Sequence, residues 1–313
     1  MSPSGVAHIL CDASELAACL RLFSHEPVDV MHVNINEYYE VAGIACKLRG
    51  IPCLGMCCAF PGKNEGYRQR HLTRWIPKLH TAVASKSLAC INAWQRLCDL
   101  SSHKCRFIWN GVDLQKFGYK KREPAAQGRP FRLLAVGRLH PMKGLDVLVR
   151  AIRLLRNKDV VLSIAGHGEK QHKEGLERLV SDLNLSSKVR FLGYVEDVVP
   201  LYRKTDCTVS ASVAHESFGQ TLIEAMACGS PLITSDFGPF PEINLHKVTG
   251  LVVPAHNTSH LAMAISTMMD EEGFRIQMGR RARERAERLF SQDRMIDKTV
   301  DLYAELAENQ RQD

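Results

Sequence analysis

The stretch that most constrains this chain is His215 to Pro231, HESFGQTLIEAMACGSP. Gln220 to Cys228 are good helix formers, and Gly229-Ser230-Pro231 stops them as a helix end is expected to read. Gly219 stands at the helix start, where the first N–H groups lack intrahelical partners and the positive end of the dipole favours an anion. With no side chain, Gly219 is expected to let a phosphate approach that backbone. Glu216 then falls in the loop before the helix and Glu224 on it, flanking the phosphate position and suited to hydrogen-bond hydroxyls of a sugar and a ribose. Taken alone, the same residues also read as an ordinary amphipathic helix with a solvated Glu224.

The rest of the chain supplies strands and helices in alternation, which implies parallel α/β sheets. In the first half, strands are expected at Val28–Val33, Ile51–Cys57 and Thr81–Ser85, with helices over Tyr39–Arg49 and Lys86–Leu100. Asn110-Gly111 is a turn signal, and the polar stretch Lys120–Arg129 reads as a linker. The second half opens with a strand at Phe131–Val136 and the loop Gly137-Arg138-Leu139-His140-Pro141-Met142-Lys143-Gly144. A helix over Leu145–Leu155 and a strand at Val160–Ala165 follow. Two cations in such a loop suit a diphosphate neutralised without a metal ion, and a solvated surface pair is the plain alternative. The turn at Gly166-His167-Gly168 lacks the third glycine of a dinucleotide fingerprint, and no Gly-Lys-Ser/Thr makes a Walker loop. Arg275, Arg280, Arg281, Arg283, Arg285 and Arg288 read as a solvated helical face, and Ile296, Val300, Tyr303 and Leu306 as the apolar stripe of a last helix.

From His215 to Ile243, HESFGQTLIEAMACGSPLITSDFGPFPEI resembles the donor-site signature of retaining family 4 glycosyltransferases. Their pattern is Glu, Phe-Gly, Glu, Ala-Met-Ala-x-Gly-x-Pro and Gly-x-x-Pro-Glu. Here it stands as Glu216, Phe218-Gly219, Glu224, Ala225-Met226-Ala227-Cys228-Gly229-Ser230-Pro231 and Gly238-Pro239-Phe240-Pro241-Glu242. The Asp29-Val30-Met31-His32-Val33 strand, the Asn110-Gly111-Val112-Asp113 segment and the Gly137-Arg138…Lys143-Gly144 loop resemble the same family. The resemblance implies the GT-B fold, two Rossmann-like parallel-sheet domains facing each other across a cleft. The domains are expected at residues 1–120 for the acceptor side, 121–290 for the nucleotide-sugar donor, and 291–313 for a helix crossing back to the first domain. Family members usually begin with an additional strand, a glycine-rich loop and a helix; only residues 1–27 precede the first strand here, so a truncated first domain is expected.

The activity so implied is transfer of a sugar, with retention of configuration, from a UDP- or GDP-linked donor to a glycan or lipid-linked acceptor in polysaccharide or glycoconjugate synthesis. No cofactor or metal ion is expected, and no Asp-x-Asp occurs in the sequence. By resemblance Arg138 and Lys143 grip the diphosphate, and with Glu216, held near the sugar, they form the catalytic set. Gly137, Gly166, Ser217, Phe218, Gly219, Gln220 and Thr221 border the donor, Tyr194 and Val195 the base, and Glu224 anchors the ribose. The competing reading is a catalytically impaired nucleotide-sugar-binding partner subunit, motivated by the missing glycine-rich loop.

Composition narrows the setting. With 45% hydrophobic and 24% charged residues the chain reads as soluble and globular, and its start lacks a charged region followed by a long apolar run, so a cytoplasmic location is expected. The eleven cysteines show no zinc-site spacing and read as buried reduced thiols of a reducing compartment. A formal charge of +7 without a nucleic-acid-binding motif argues against nucleic acid as a partner. Residues 68–80, RQRHLTRWIPKLH, make a basic amphipathic pattern that reads first as a helix packed on its own domain with a solvated basic face, with peripheral contact to the inner face of a membrane as the minority reading.

Overall fold

A computed structural model describes residues 16–25, 27–35, 39–61, 77–119, 128–214 and 216–310. The basic amphipathic segment lies outside these residues up to position 76, as does His215. The chain divides into two compact units, one of Met1–Trp109 with Met295–Asp313 and one of Asn110–Arg294. The linker composition places a boundary near residue 120, whereas this division falls after Trp109. The reason is pairing: Val112 donates its N–H to Phe290 O at 2.8 Å and bridges to Ser291, and Phe117 packs on Tyr202 with ring centroids 6.3 Å apart. Those contacts tie residues 110–119 to the second unit.

The first unit holds a four-stranded parallel sheet, β1 (Met31–Ile35), β2 (Cys53–Cys57), β3 (Ala82–Ser85) and β4 (Cys105–Phe107), in that spatial order. Alternation along the strands sends Leu54, Met56, Ala82 and Ala84 to one face and Cys57 and Val83 to the other. The second face is covered by the helix Leu88–Cys98 through Cys90, Ile91 and Trp94, and Ser87 caps that helix by accepting from the Cys90 N–H. The first face is covered by the helix Gln292–Gln310, through Leu302 and Leu306 with Met295 and Tyr303. Ile296 and Val300, expected in the apolar stripe, are exposed instead. The buried row runs through Met295, Leu302 and Leu306, which the sequence offers at equally helical spacing. All cysteines among the described residues are free thiols, and most are buried.

The second unit is built on a six-stranded parallel sheet of spatial order β10-β9-β8-β5-β6-β7. Its strands are β5 (Phe131–Val136), β6 (Val160–Ala165), β7 (Val189–Gly193), β8 (Cys207–Ser210), β9 (Leu232–Ser235) and β10 (Gly250–Val253). Leu133, Leu162 and Ile164 meet Leu148, Val149 and Ile152 of the helix Leu145–Leu154 in one continuous core. Each fully buried side chain of that kind contributes roughly 1.5–3 kcal/mol. The arginine-rich helix Glu272–Leu289 is not a uniformly solvated face. Arg275 is buried, donating to Met268 O and stacking over Phe131 at 5.1 Å; Arg283 donates to Phe117 O and Ala227 O, and Arg285 to Ile243 O and Glu242 O. These guanidinium groups satisfy carbonyls at loop and helix ends that would otherwise lie buried without donors. No helix among the described residues is long and apolar enough to cross a membrane.

Asp206 anchors the two central strands. Its carboxylate takes both guanidinium nitrogens of Arg129 at 2.6 Å and the Arg132 N–H at 2.8 Å, joining the residues that lead into β5 and β8. Burial raises the Asp206 pKa, but the Arg129 guanidinium and the Arg132 N–H outweigh burial and hold the carboxyl below its ordinary value. A depressed folded-state pKa contributes stability above the unfolded-state value of about 3.9 and loses it as pH falls through the folded value. Asp206→Asn is therefore expected to cost about 2 kcal/mol at pH 7, a fall in Tm of roughly 4–8 °C. Calorimetry down the acid range should show the gap between parent and variant closing below about pH 4; a gap that stays constant to low pH would exclude the pair as its source.

Candidate functional site

The chain order fixes where the second unit can bind. From β5 it proceeds to β6 and β7 on one side, and from β8 to β9 and β10 on the other, so β5 and β8 are neighbours where the order reverses. Open parallel sheets bind ligands outside the carboxyl ends of their strands at such a switch point. The loop after β5 carries Gly137, Arg138 and Lys143, and the loop after β8 carries Glu216 and leads to the helix Gln220–Ala227.

These two loops are pressed together. The Val213 N–H donates to Met142 O at 2.8 Å, and a side chain at Gly144, whose φ is +58°, would meet Ala211 O at 2.1 Å. The turn after β6 closes in equally: a Cβ on Gly166, at φ +146°, would lie 1.8 Å from Gly137 O. A short 3-10 turn over Pro141–Lys143, whose Met142 N–H is accepted by His140 Nδ1, carries Lys143 over β8's loop.

There Lys143 Nζ donates to Glu216 Oε1, and Ser212 Oγ donates to the same oxygen at 3.0 Å. Ser212 is fully buried and its carbonyl accepts from Ser235 Oγ at 2.6 Å, so the hydroxyl that holds Glu216 is itself fixed. Arg138 is exposed and lines one shallow hollow with Gly137, Lys143, Ser210 and Ala211. Among the described residues it forms no ion pair. A larger, mostly apolar hollow of about 300 Å³ beside Leu134, Val161 and Leu192 shares none of these residues.

Glu224 lies one helical face away. It accepts from Tyr202 Oη at 3.1 Å and from the Gln220 side chain, and its burial raises the carboxyl above its ordinary value against those hydrogen bonds. It is thus half-buried and partnered, not a solvated helix-face carboxylate. Gln220 is braced in turn, its Nε2 donating to Gly111 O and its Oε1 accepting from Asn110 Nδ2, both at 3.2 Å. Asn110-Gly111, a hairpin signal in the sequence, serves here as a brace for the helix start.

Several expectations about individual residues are refined. Gly219 has extended backbone at φ −177°, and a Cβ there would meet Leu222 and Ile243 at 3.0 and 3.1 Å. Inward packing thus favours glycine at this position. Phe218 turns its ring into the core against Phe290, while Ser217 and Thr221 stay half-buried at the helix start. Tyr194 is 71% exposed beyond β7 and meets the His167 ring edge-on at 5.7 Å, with Val195 half-buried beside it. Sequence reading passes over Ser212 and Tyr202, whose hydroxyls hold the two glutamates. Ser212, four residues before Glu216, has local spacing as a signal; Tyr202, 22 residues from Glu224, has none.

Three comparisons bear on this arrangement. A family model for glycosyl transferases group 1 matches residues 118–285. The chain is 34% identical over 227 residues to the D-inositol 3-phosphate glycosyltransferase of Saccharomonospora viridis, covering 67% of this chain and 52% of that protein. It is 32% identical over 212 residues to an uncharacterised glycosyltransferase of Methanocaldococcus jannaschii, covering 64% and 54%. The chain thus spans about half the length of these relatives. Among solved structures, a glycosyltransferase from Rickettsia africae superposes with a TM-score of 0.84 at 21% identity, covering 95% of this chain and 81% of that one. Anabaena HepE in complex with UDP superposes with the same TM-score at 20% identity, covering 93% and 82%. Two parallel-sheet α/β units and these likenesses agree on a GT-B fold. The chain belongs to the glycosyl transferases group 1 family.

Proposed function

We propose that the second unit binds the diphosphate of a nucleotide-sugar donor at the β5–β8 switch point, and that the protein transfers the sugar with retention of configuration and without a metal ion. The observation that carries the reading is the Lys143–Glu216 pair, one cation and one carboxylate from the two loops that meet there. In the free protein each neutralises the other. A diphosphate arriving beside Arg138 draws Lys143 toward itself, since a dianion outcompetes a single carboxylate for an ammonium. Glu216, still held by Ser212, is then left facing the sugar, where it accepts from hydroxyls and tolerates positive character at the anomeric carbon. The first N–H groups of the helix Gln220–Ala227 add donors for the leaving diphosphate.

Glu224 accepts from the ribose hydroxyls on this reading, and Tyr194 and Val195 border the base. UDP-sugars are the first donors to try, because Anabaena HepE has been crystallised with UDP and with UDP-glucose; GDP-sugars are the second. The acceptor is a glycan or a lipid-linked glycan in polysaccharide or glycoconjugate synthesis, and the free thiols suit a cytoplasmic setting.

Lys143→Ala and Glu216→Ala are each expected to lower transfer, or donor hydrolysis where the acceptor is unknown, by at least 100-fold. Their melting temperatures should stay within about 3 °C of the parent, because each pair member is partly solvated. Purified protein assayed with UDP- and GDP-linked sugars supplies the measurement, and full activity in either variant removes that residue from the mechanism. Glu216→Gln has a separate consequence: it releases Lys143 from its carboxylate, so UDP should bind more tightly, by about threefold to tenfold in calorimetry, while transfer is lost. Unchanged or weaker UDP binding would contradict competition between Glu216 and the diphosphate for Lys143.

A further inference from the structure

The surroundings of Glu224 are more ordered than ribose binding alone demands. Tyr202, on the short helix Val199–Lys204, is fully buried, and its phenol donates to Glu224 Oε2 at 3.1 Å. Burial, and then the neighbouring carboxylate, push the Tyr202 pKa well up, so at neutral pH the phenol keeps the proton it donates to Glu224. Gln220 donates to the same carboxylate from the start of the helix that carries it, and Gln220 is pinned by Asn110 and Gly111. A carboxylate offers about four acceptor positions on two oxygens. With Oε2 taken by a fully buried donor, the torsion of the carboxylate is restrained, and its remaining acceptor positions can serve a diol. Lys116 adds a further attraction for this charge.

We propose that Tyr202, supported by Gln220, is a positioning residue that sets the Glu224 carboxylate for the ribose hydroxyls of the donor nucleotide, and so determines how strongly the protein prefers ribonucleotides over their deoxy analogues. The proposal rests on the assignment of Glu224 to the ribose and adds the device that makes that contact selective. Tyr202 touches no substrate atom; it acts through Glu224.

The test compares UDP with 2′-deoxy-UDP, and GDP with 2′-deoxy-GDP if the guanine nucleotide binds better, by calorimetric titration of the full chain. The parent should prefer the ribonucleotide by about tenfold or more, the size of a hydrogen bond to a charged group. Tyr202→Phe should reduce that preference to about threefold or less while leaving the affinity for the deoxynucleotide unchanged, a pattern that general loosening of the fold would not give. Glu224→Ala should abolish the preference, and adding Tyr202→Phe to Glu224→Ala should change it no further. A full preference in Tyr202→Phe beside a lost one in Glu224→Ala overturns the positioning role and leaves the ribose assignment standing. A preference retained in Glu224→Ala overturns both. If Tyr202→Phe melts below the assay temperature, Gln220→Ala removes the other donor from the exposed helix start and is read by the same ratio, with a full preference there overturning the proposal.

Discussion

The adjacency of β5 and β8 is the constraint on which the rest of the second unit depends. These strands lie some seventy residues apart in sequence and pair only because the chain first builds β6 and β7 outward and then returns. Asp206 fastens that return by bonding Arg129 and the Arg132 backbone at the amino ends of both strands. With the amino ends clamped, the loops at the carboxyl ends have no room to separate. Gly144 is the residue that lets them approach, and Lys143 and Glu216 meet as a consequence. The ion pair is thus produced by the sheet, and the sheet does not depend on it.

Legibility from the sequence follows burial. β5 and β6 were readable to the residue, because largely buried parallel strands appear as short, mostly apolar runs with glycines or polar loops at their ends. The helix Gln292–Gln310 shows the opposite case. Its apolar residues permit two overlapping stripes at helical spacing, and only the sheet it covers decides that Leu302 and Leu306 go in while Ile296 and Val300 stay out. The arginines of Glu272–Leu289 were unreadable for a related reason. A guanidinium that caps a carbonyl and one that faces water look alike in sequence, and Arg275, Arg283 and Arg285 are of the first kind.

The candidate site divides in the same way. The glutamates, the two loop cations and the helix start stand close enough in sequence, or in a familiar enough pattern, to be named in advance, and the structure places Lys143 on Glu216. What the sequence withholds is the set of groups that hold them still. Ser212 acts on Glu216 across four residues and Tyr202 acts on Glu224 across twenty-two, through hydroxyls that are fully buried and therefore indistinguishable from core residues. Gly219 makes the complementary point: its tight packing against Leu222 and Ile243 is not visible in the sequence.

On the proposed reading, charge explains why an anion site can contain two carboxylates. Glu216 is matched by Lys143 and a hydroxyl, and Glu224 by a phenol and an amide, so neither presents an uncompensated negative charge to an incoming diphosphate. Arg138 remains uncommitted among the described ion pairs and would supply the first attraction on that reading. On the proposed reading, further attraction arises only as Lys143 exchanges Glu216 for phosphate, an exchange of one charge-assisted bond for another. Binding gains little from it in the ground state. As the bond to the sugar breaks, however, negative charge accumulates on the diphosphate beside Arg138 and Lys143 while positive character grows beside the freed Glu216, so the same rearrangement stabilises the transition state more than the bound donor.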